Sequence, residues 1–207
     1  MDNYLKNTLA QQHEYFRNPP PENHPSGYRD SERTKSRTEY IVGAIERHVS
    51  DRDSKILEIG CNVGRNLNGL FNAGYKRLFG IEINPEAVKL SKEYYPEMNS
   101  AAHIVNETIE NTVGYISENE FDLIFTLAAL VHIHTDSDWI FKEIVFGTKN
   151  IIVLEQEIGG RSDRHFLRNY EDVFCSLGMI QKYADAETPP QLSDALRGYV
   201  LRVFSKC

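Results

Sequence analysis

With 207 residues the chain holds one α/β domain with a sizeable core and is too short to expect two. A hydrophobic share of 41% and a charged share of 26% are ordinary for a globular protein, and a formal net charge of -7 argues against non-specific nucleic-acid binding, which needs a basic face. The 3 Cys, at positions 61, 175 and 207, are too far apart for a disulfide framework or a C-x-x-C metal or redox site.

No apolar run approaches the ~20 residues that span a bilayer. The first residues, "MDNYLKNTLAQQHEYF", lack the apolar stretch of a secretory signal, so the expected compartment is the reducing cytoplasm.

In chain order, residues 3–16 read as a polar helix with Tyr4, Leu5, Leu9 and Phe16 at roughly helical spacing. "NPPPENHPSGY" interrupts it, because prolines and glycine suit neither a helix interior nor a central strand. A second helix is expected from Ser31 to Val49, with Ile41, Val42, Ile45 and Val49 as its apolar face. From Lys55 strands and helices alternate. "KILEIG" is a strand, "GRNLNGLFNAG" a helix closed by Gly74, and "RLFGIEI" a strand. "NPEAVKLSKEYYP" is a helix with Asn84 as cap and Pro85 at its first position. "AHIV" and "FDLIFTLAAL" are strands, and "DSDWIFKEIVF" is a helix capped by Asp136 or Ser137. "NIIVLEQE" is a strand, residues 163–178 a helix closed by Gly178, and "MIQKYADA" and "GYVLRVFSK" a closing strand pair.

This alternation predicts a mostly parallel sheet with helices on both faces. Ligands of such sheets bind outside the carboxyl ends of the strands, where strand order reverses. Residues 1–50 are expected to form a helical cap or lid, and residues 51–207 the core.

The glycine turn after the first strand reads Gly60, Cys61, Asn62, Val63, Gly64. A pyrophosphate needs close backbone approach at the middle position and hence glycine there; Asn62 blocks it. The turn suits a ligand without a pyrophosphate, and S-adenosylmethionine is such a ligand. Glu82, at the end of the second strand, can accept both hydroxyls of a ribose. A turn that binds nothing and an exposed strand-end acid are the plain alternatives.

"ILEIGCNVGRNL", "LFGIEINPEAVKLSK", "IVNETIEN" and "FDLIFTLAALVHI", in this order over about residues 54–156, resemble the class I S-adenosylmethionine-dependent methyltransferases. "GRSDRHFLRNY" resembles, more loosely, the methylases associated with pseudaminic acid biosynthesis. The resemblance implies a Rossmann-like sheet of seven strands under an N-terminal helical cap. It implies Glu58 near the methionine amino group and Gly60, Cys61 and Asn62, with Gly64, around the methionine and ribose. It further implies Glu82 on the ribose, Ile83 on the adenine, Glu107 and Thr108 near the adenine amine, and Thr126 and Leu127 beside the sulfonium. "VNETI" departs from the common Gly-Asp, which puts Glu107 in doubt.

His132, just past the fourth strand, is the expected base or orienting group, since imidazole titrates near neutrality; a structural histidine is the alternative. Arg161 and Arg164 are expected to hold an acidic acceptor, or else to sit solvated on a helix capped by Asp163. Tyr28 and Arg33, on a segment that folds over the cofactor as a lid, are expected to touch the methionine carboxylate or the acceptor; a prolyl linker ahead of a helix is the alternative. No metal site is expected, because His132 and His134 have no third ligand nearby. "NPPP" at 18–21 precedes the first strand, unlike the base-amino-methylating signature that follows the fourth. The sequence thus points to methylation of a small polar molecule, a sugar acid or relative, on oxygen, by a monomer or homodimer without nucleic-acid or membrane partners. A non-catalytic module binding the cofactor or S-adenosylhomocysteine, transfer to nitrogen or of another group, and a nucleotide-dependent oxidoreductase are the rivals.

Overall fold

The structure, a computed structural model, describes residues 5–29, 31–159, 162–186 and 196–206, with backbone only at Glu32 and Arg33. Strands β1 (Lys55–Ile59), β2 (Arg77–Glu82), β3 (His103–Asn106), β4 (Phe121–Leu127) and β5 (Thr148–Gln156) are parallel. β7 (Tyr199–Ser205) inserts antiparallel between β5 and β6 (Ile180–Asp185), giving a seven-stranded sheet in the order β3-β2-β1-β4-β5-β7-β6. The order reverses between β1 and β4, so the crevice at their carboxyl ends is the natural ligand position.

The pleat divides the core. Ile56, Leu123, Phe125, Ile152 and Leu154 face one side, where they meet helices α2 (Glu32–His48) and α3 (Arg65–Asn72). Leu57, Ile59, Ile124, Ile151 and Val153 face the other, against α7 (Ile140–Phe146) and α8 (Tyr170–Ser176). α4 (Pro85–Tyr94) starts as its sequence dictates: Asn84 Oδ1 accepts from the Glu86 and Ala87 N–H groups, with Pro85 at the first position.

Several boundaries differ from expectation. The first helix, α1 (Leu9–Arg17), begins later, because Thr8 and Gln11 form a capping box there. Pro96 opens a separate helix α5 (Pro96–Ala101), and α6 (Val113–Asn119) fills the connection before β4. Neither Asp136 nor Ser137 caps α7; a 3-10 turn, Thr135–Ser137, precedes it. The largest shift is in residues 163–178. α8 starts only at Tyr170, capped by Asn169 Oδ1, and Asp163 caps nothing helical. Arg168 helps explain this: it bonds Asp138 and donates to the carbonyls of Ile133 and Phe166, which pulls the preceding chain off the helix path and across the sheet end.

Candidate functional site

Gly60 and Cys61 donate their N–H groups to the Ile81 carbonyl at 2.9 and 3.1 Å, which stitches the turn after β1 to the end of β2. Asn62, at φ 49, occupies the left-handed region that asparagine tolerates, and its N–H reaches Glu82 Oε2 at 2.7 Å. The Asn84 N–H donates to Glu82 Oε1 at 2.8 Å. Burial pushes the Glu82 carboxyl up, and these backbone donors oppose it. Gly60 has φ +73, and a Cβ there would stand 2.6 Å from Ala129 Cβ, so glycine alone keeps the β1 and β4 turns this close.

Glu58 is buried on the α3 side. Its Oε1 accepts from Asn66 Nδ2 at 2.7 Å, whereas Oε2 has no hydrogen-bond partner among the described residues. Burial pushes its carboxyl up to about 8, with Asn66 and Arg65 acting against the rise. A chain of bonds continues outward. Arg65 Nε donates to Thr38 Oγ1, Thr38 Oγ1 donates to Asn66 Oδ1, and Arg65 Nη1 donates to the Tyr28 carbonyl.

A cavity of about 410 Å³ opens over these groups, and α1 and the segment 19–28 roof it. Lys6 and Asn7 tie the roof to the carbonyls of Ser162, His165 and Asp163, and buried Gln12 donates to those of His132 and Arg164. Tyr28 lines the cavity, while the side chain of Arg33 lies outside the described residues.

Glu58, Gly60, Cys61, Asn62, Glu82, Ile83, Glu107, Thr108, Leu127, His132 and Arg164 all line this one cavity. Two expected residues do not. Gly64 starts α3 at φ +75, and a Cβ there would meet Met98 Cε and Ser91 Oγ at 2.8 Å, so it serves helix packing. Thr126 turns away: its hydroxyl donates to Glu155 Oε1 at 2.7 Å. Arg161 lies outside the described residues.

His132 lies on the same wall. Burial, together with His165 and Arg164, pushes its imidazole down to about 4, against the opposing bond to the Arg164 carbonyl. A carbonyl only accepts, so Nδ1, 3.1 Å away, carries the proton and Nε2 keeps a lone pair. His132 is therefore a neutral hydrogen-bond acceptor at neutral pH and a poor proton store. Its ring packs on Phe16 at 4.7 Å and on His165 at 5.1 Å between centroids.

Sequence reasoning missed the buried Glu155, whose carboxylate accepts from Thr126 Oγ1 and from the N–H groups of Ala129, Leu130 and Val131, fixing the turn after β4. A lone acid inside the apolar run "NIIVLEQE" was the available signal. It also missed Gln12, His13, Tyr15, Phe16, Arg37 and Glu110 on the cavity wall. Among the described residues no three His, Cys, Asp or Glu side chains could hold a metal, and no helix is long and apolar enough to cross a membrane.

The family model of a methyltransferase domain matches residues 57–146. Magnesium protoporphyrin IX methyltransferase from Synechocystis PCC 6803, solved with SAH, shares 12% identity at a TM-score of 0.72, with 94% of this chain and 98% of that one covered. The cyclase SpnF shares 14% at 0.72, with 97% of each chain covered. A sarcosine dimethylglycine methyltransferase from Galdieria sulphuraria shares 13% at 0.64, covering 84% of this chain and 86% of that one. At these identities the likeness is one of fold. No curated protein matches the sequence. The fold is that of the class I methyltransferases, and the match to a methyltransferase domain lies on residues 57–146. The methyl donor of that class is S-adenosylmethionine, and the residues present fit it: a buried carboxylate with one unpartnered oxygen, a second at the neighbouring strand end, and a glycine cradle between them.

Proposed function

We propose that this chain transfers a methyl group from S-adenosylmethionine to an oxygen of a small acidic acceptor, a sugar acid or related polar metabolite. The observation that carries the reading is the pair of carboxylates, Glu58 and Glu82, at adjacent strand ends on the wall of one roofed cavity. Glu58 would pair with the cofactor's ammonium and Glu82 would accept from its ribose hydroxyls. Gly60, Cys61 and Asn62 would border the methionine and ribose, Ile83 would pack on the adenine, and Glu107 and Thr108 would edge it. Leu127 would wall the methyl side. The cofactor supplies a sulfonium-activated methyl, so the protein's task is to align the acceptor and exclude water. Tyr28 and the α1 roof do the second.

Arg164 supports an acidic acceptor. Its guanidinium stacks 4.1 Å over the Tyr15 ring and its Nε makes a long ion pair of 3.9 Å with Asp163, which would leave the Nη side of the fork for a carboxylate. His132 Nε2, with its tautomer fixed, would accept a hydrogen bond from the acceptor and orient it. The looser resemblance of "GRSDRHFLRNY" to pseudaminic-acid methylases supports the same acceptor class.

The test is calorimetric titration with S-adenosylmethionine and S-adenosylhomocysteine beside Glu82→Ala, followed by label transfer from the methyl donor to a panel of sugar acids. Micromolar binding that the variant loses, with transfer to an acid, is expected. No binding of either ligand would sink the reading.

A further inference from the structure

Glu110 sits in the connection after β3 and faces two other elements. Its Oε1 accepts from Ser137 Oγ at 2.7 Å and lies 3.1 Å from His13 Nε2, which α1 brings across the cavity. Its Oε2 is buried and has no partner among the described residues. Burial alone would raise this carboxyl, but Ser137, its own backbone and His13 hold it below the usual carboxylate range. An ionised oxygen shut from water without a donor is costly, so the arrangement is short of one hydrogen-bond donor. Glu110, His13 and Arg164 line the same cavity, and Tyr15, under Arg164, follows His13 on the same helix.

We propose that the acceptor is a hydroxy acid, held by its acid group on Arg164 and by its reacting hydroxyl on Glu110, and that the Glu110–His13 pair takes the hydroxyl proton. This rests on the reading of methyl transfer to oxygen. The acceptor oxygen bonds the methyl carbon, the donor's carbon–sulfur bond breaks, sulfur keeps the electron pair, and the proton passes to the pair and then to solvent. Glu110 Oε2, the oxygen that meets the hydroxyl, takes the proton, while His13 Nε2–H and Ser137 hold Oε1 in place.

The experiment uses protein saturated with S-adenosylhomocysteine and, in parallel, label transfer from S-adenosylmethionine. The probes are D-glucuronate and L-malate, with succinate lacking the hydroxyl and D-glucose lacking the acid. The expected result is binding of, and transfer to, the two hydroxy acids only. Glu110→Gln should weaken their binding about tenfold and cut transfer about a hundredfold, with homocysteine-ligand affinity within about twofold as the folding control. His13→Gln should mainly lower kcat, and Arg164→Met mainly raise KM. Unchanged transfer in Glu110→Gln, or methylation of succinate as fast as malate, overturns this inference and leaves transfer to an acid standing. Transfer to no acid at all overturns both.

Discussion

Replacing Glu58 by glutamine should change the proton inventory of cofactor binding. In the free protein burial holds this carboxyl at about 8 against its ordinary 4.5, a difference worth roughly 5 kcal/mol against the ionised form. At about pH 7 some nine in ten molecules therefore carry Glu58 as the neutral acid. Pairing with the ligand's ammonium requires the carboxylate, so Glu58 should contribute the release of ~0.9 proton at that pH and close to none above about pH 9. Apparent affinity should climb roughly tenfold per pH unit below about pH 7 and bend over as Glu58 itself ionises through about 8. Titration with S-adenosylhomocysteine in buffers of different ionisation enthalpy measures the count directly. Stability has the opposite sign. A carboxyl raised in the folded state contributes stability that is whole below its unfolded value and is lost as pH rises through about 8. Glu58→Gln should bind the ligand more weakly and yet, ligand-free, resist alkaline unfolding better than wild type. Release of fewer than about 0.3 proton by wild type at about pH 7, or equal release by the variant, would mean that Glu58 does not bind the ligand's ammonium from a neutral resting state.

Glu155→Ala removes the acceptor of one hydroxyl and three backbone donors and should cost about 3 kcal/mol or more in denaturant unfolding, weakening ligand binding with it. Because the His132 imidazole is lowered to about 4, its contribution is present above about 6.5 and lost as pH falls through about 4. His132→Asn should flatten that acid limb by about 3 kcal/mol in pH-dependent melting. Gln12→Ala removes two bonds that fasten α1 and should speed S-adenosylhomocysteine release several-fold in stopped-flow, with a stability loss of about 1–2 kcal/mol. Gly64→Ala meets both a positive φ and side chains at 2.8 Å and should lower the melting temperature without a direct ligand contact.

The parts of the site that were legible in the sequence are those that local chemistry dictates. The apolar run, the glycine turn and the acid at Glu82 place β1, β2 and the crevice between them, and Asn84-Pro85 marks α4. The roof was legible only as a cap. That Gln12 and His13 reach partners 120 and 97 residues away leaves no local trace. Thr126 was misplaced because pleat parity at a strand end decides which neighbour a side chain meets, and here the neighbour is Glu155. Arg168 illustrates the third failure. The spacing of "DRHFLRNYEDVF" suits a helix, and long-range bonds to Asp138 and to the Ile133 carbonyl override that propensity.

The bond chain from Arg65 to Glu58 has a fixed polarity. A guanidinium cannot accept, so Thr38 must spend its single hydroxyl hydrogen on Asn66 Oδ1, and the amide of Asn66 is then oriented with its nitrogen toward Glu58. No flipped amide or reversed hydroxyl satisfies the same contacts. Glu58 Oε1 is thereby always an acceptor, and an acid proton on this residue has one seat, Oε2. The oxygen that would receive the ligand's ammonium is thus the one that must first be vacated, and the side chains of α2 and α3 have settled that choice before any ligand arrives.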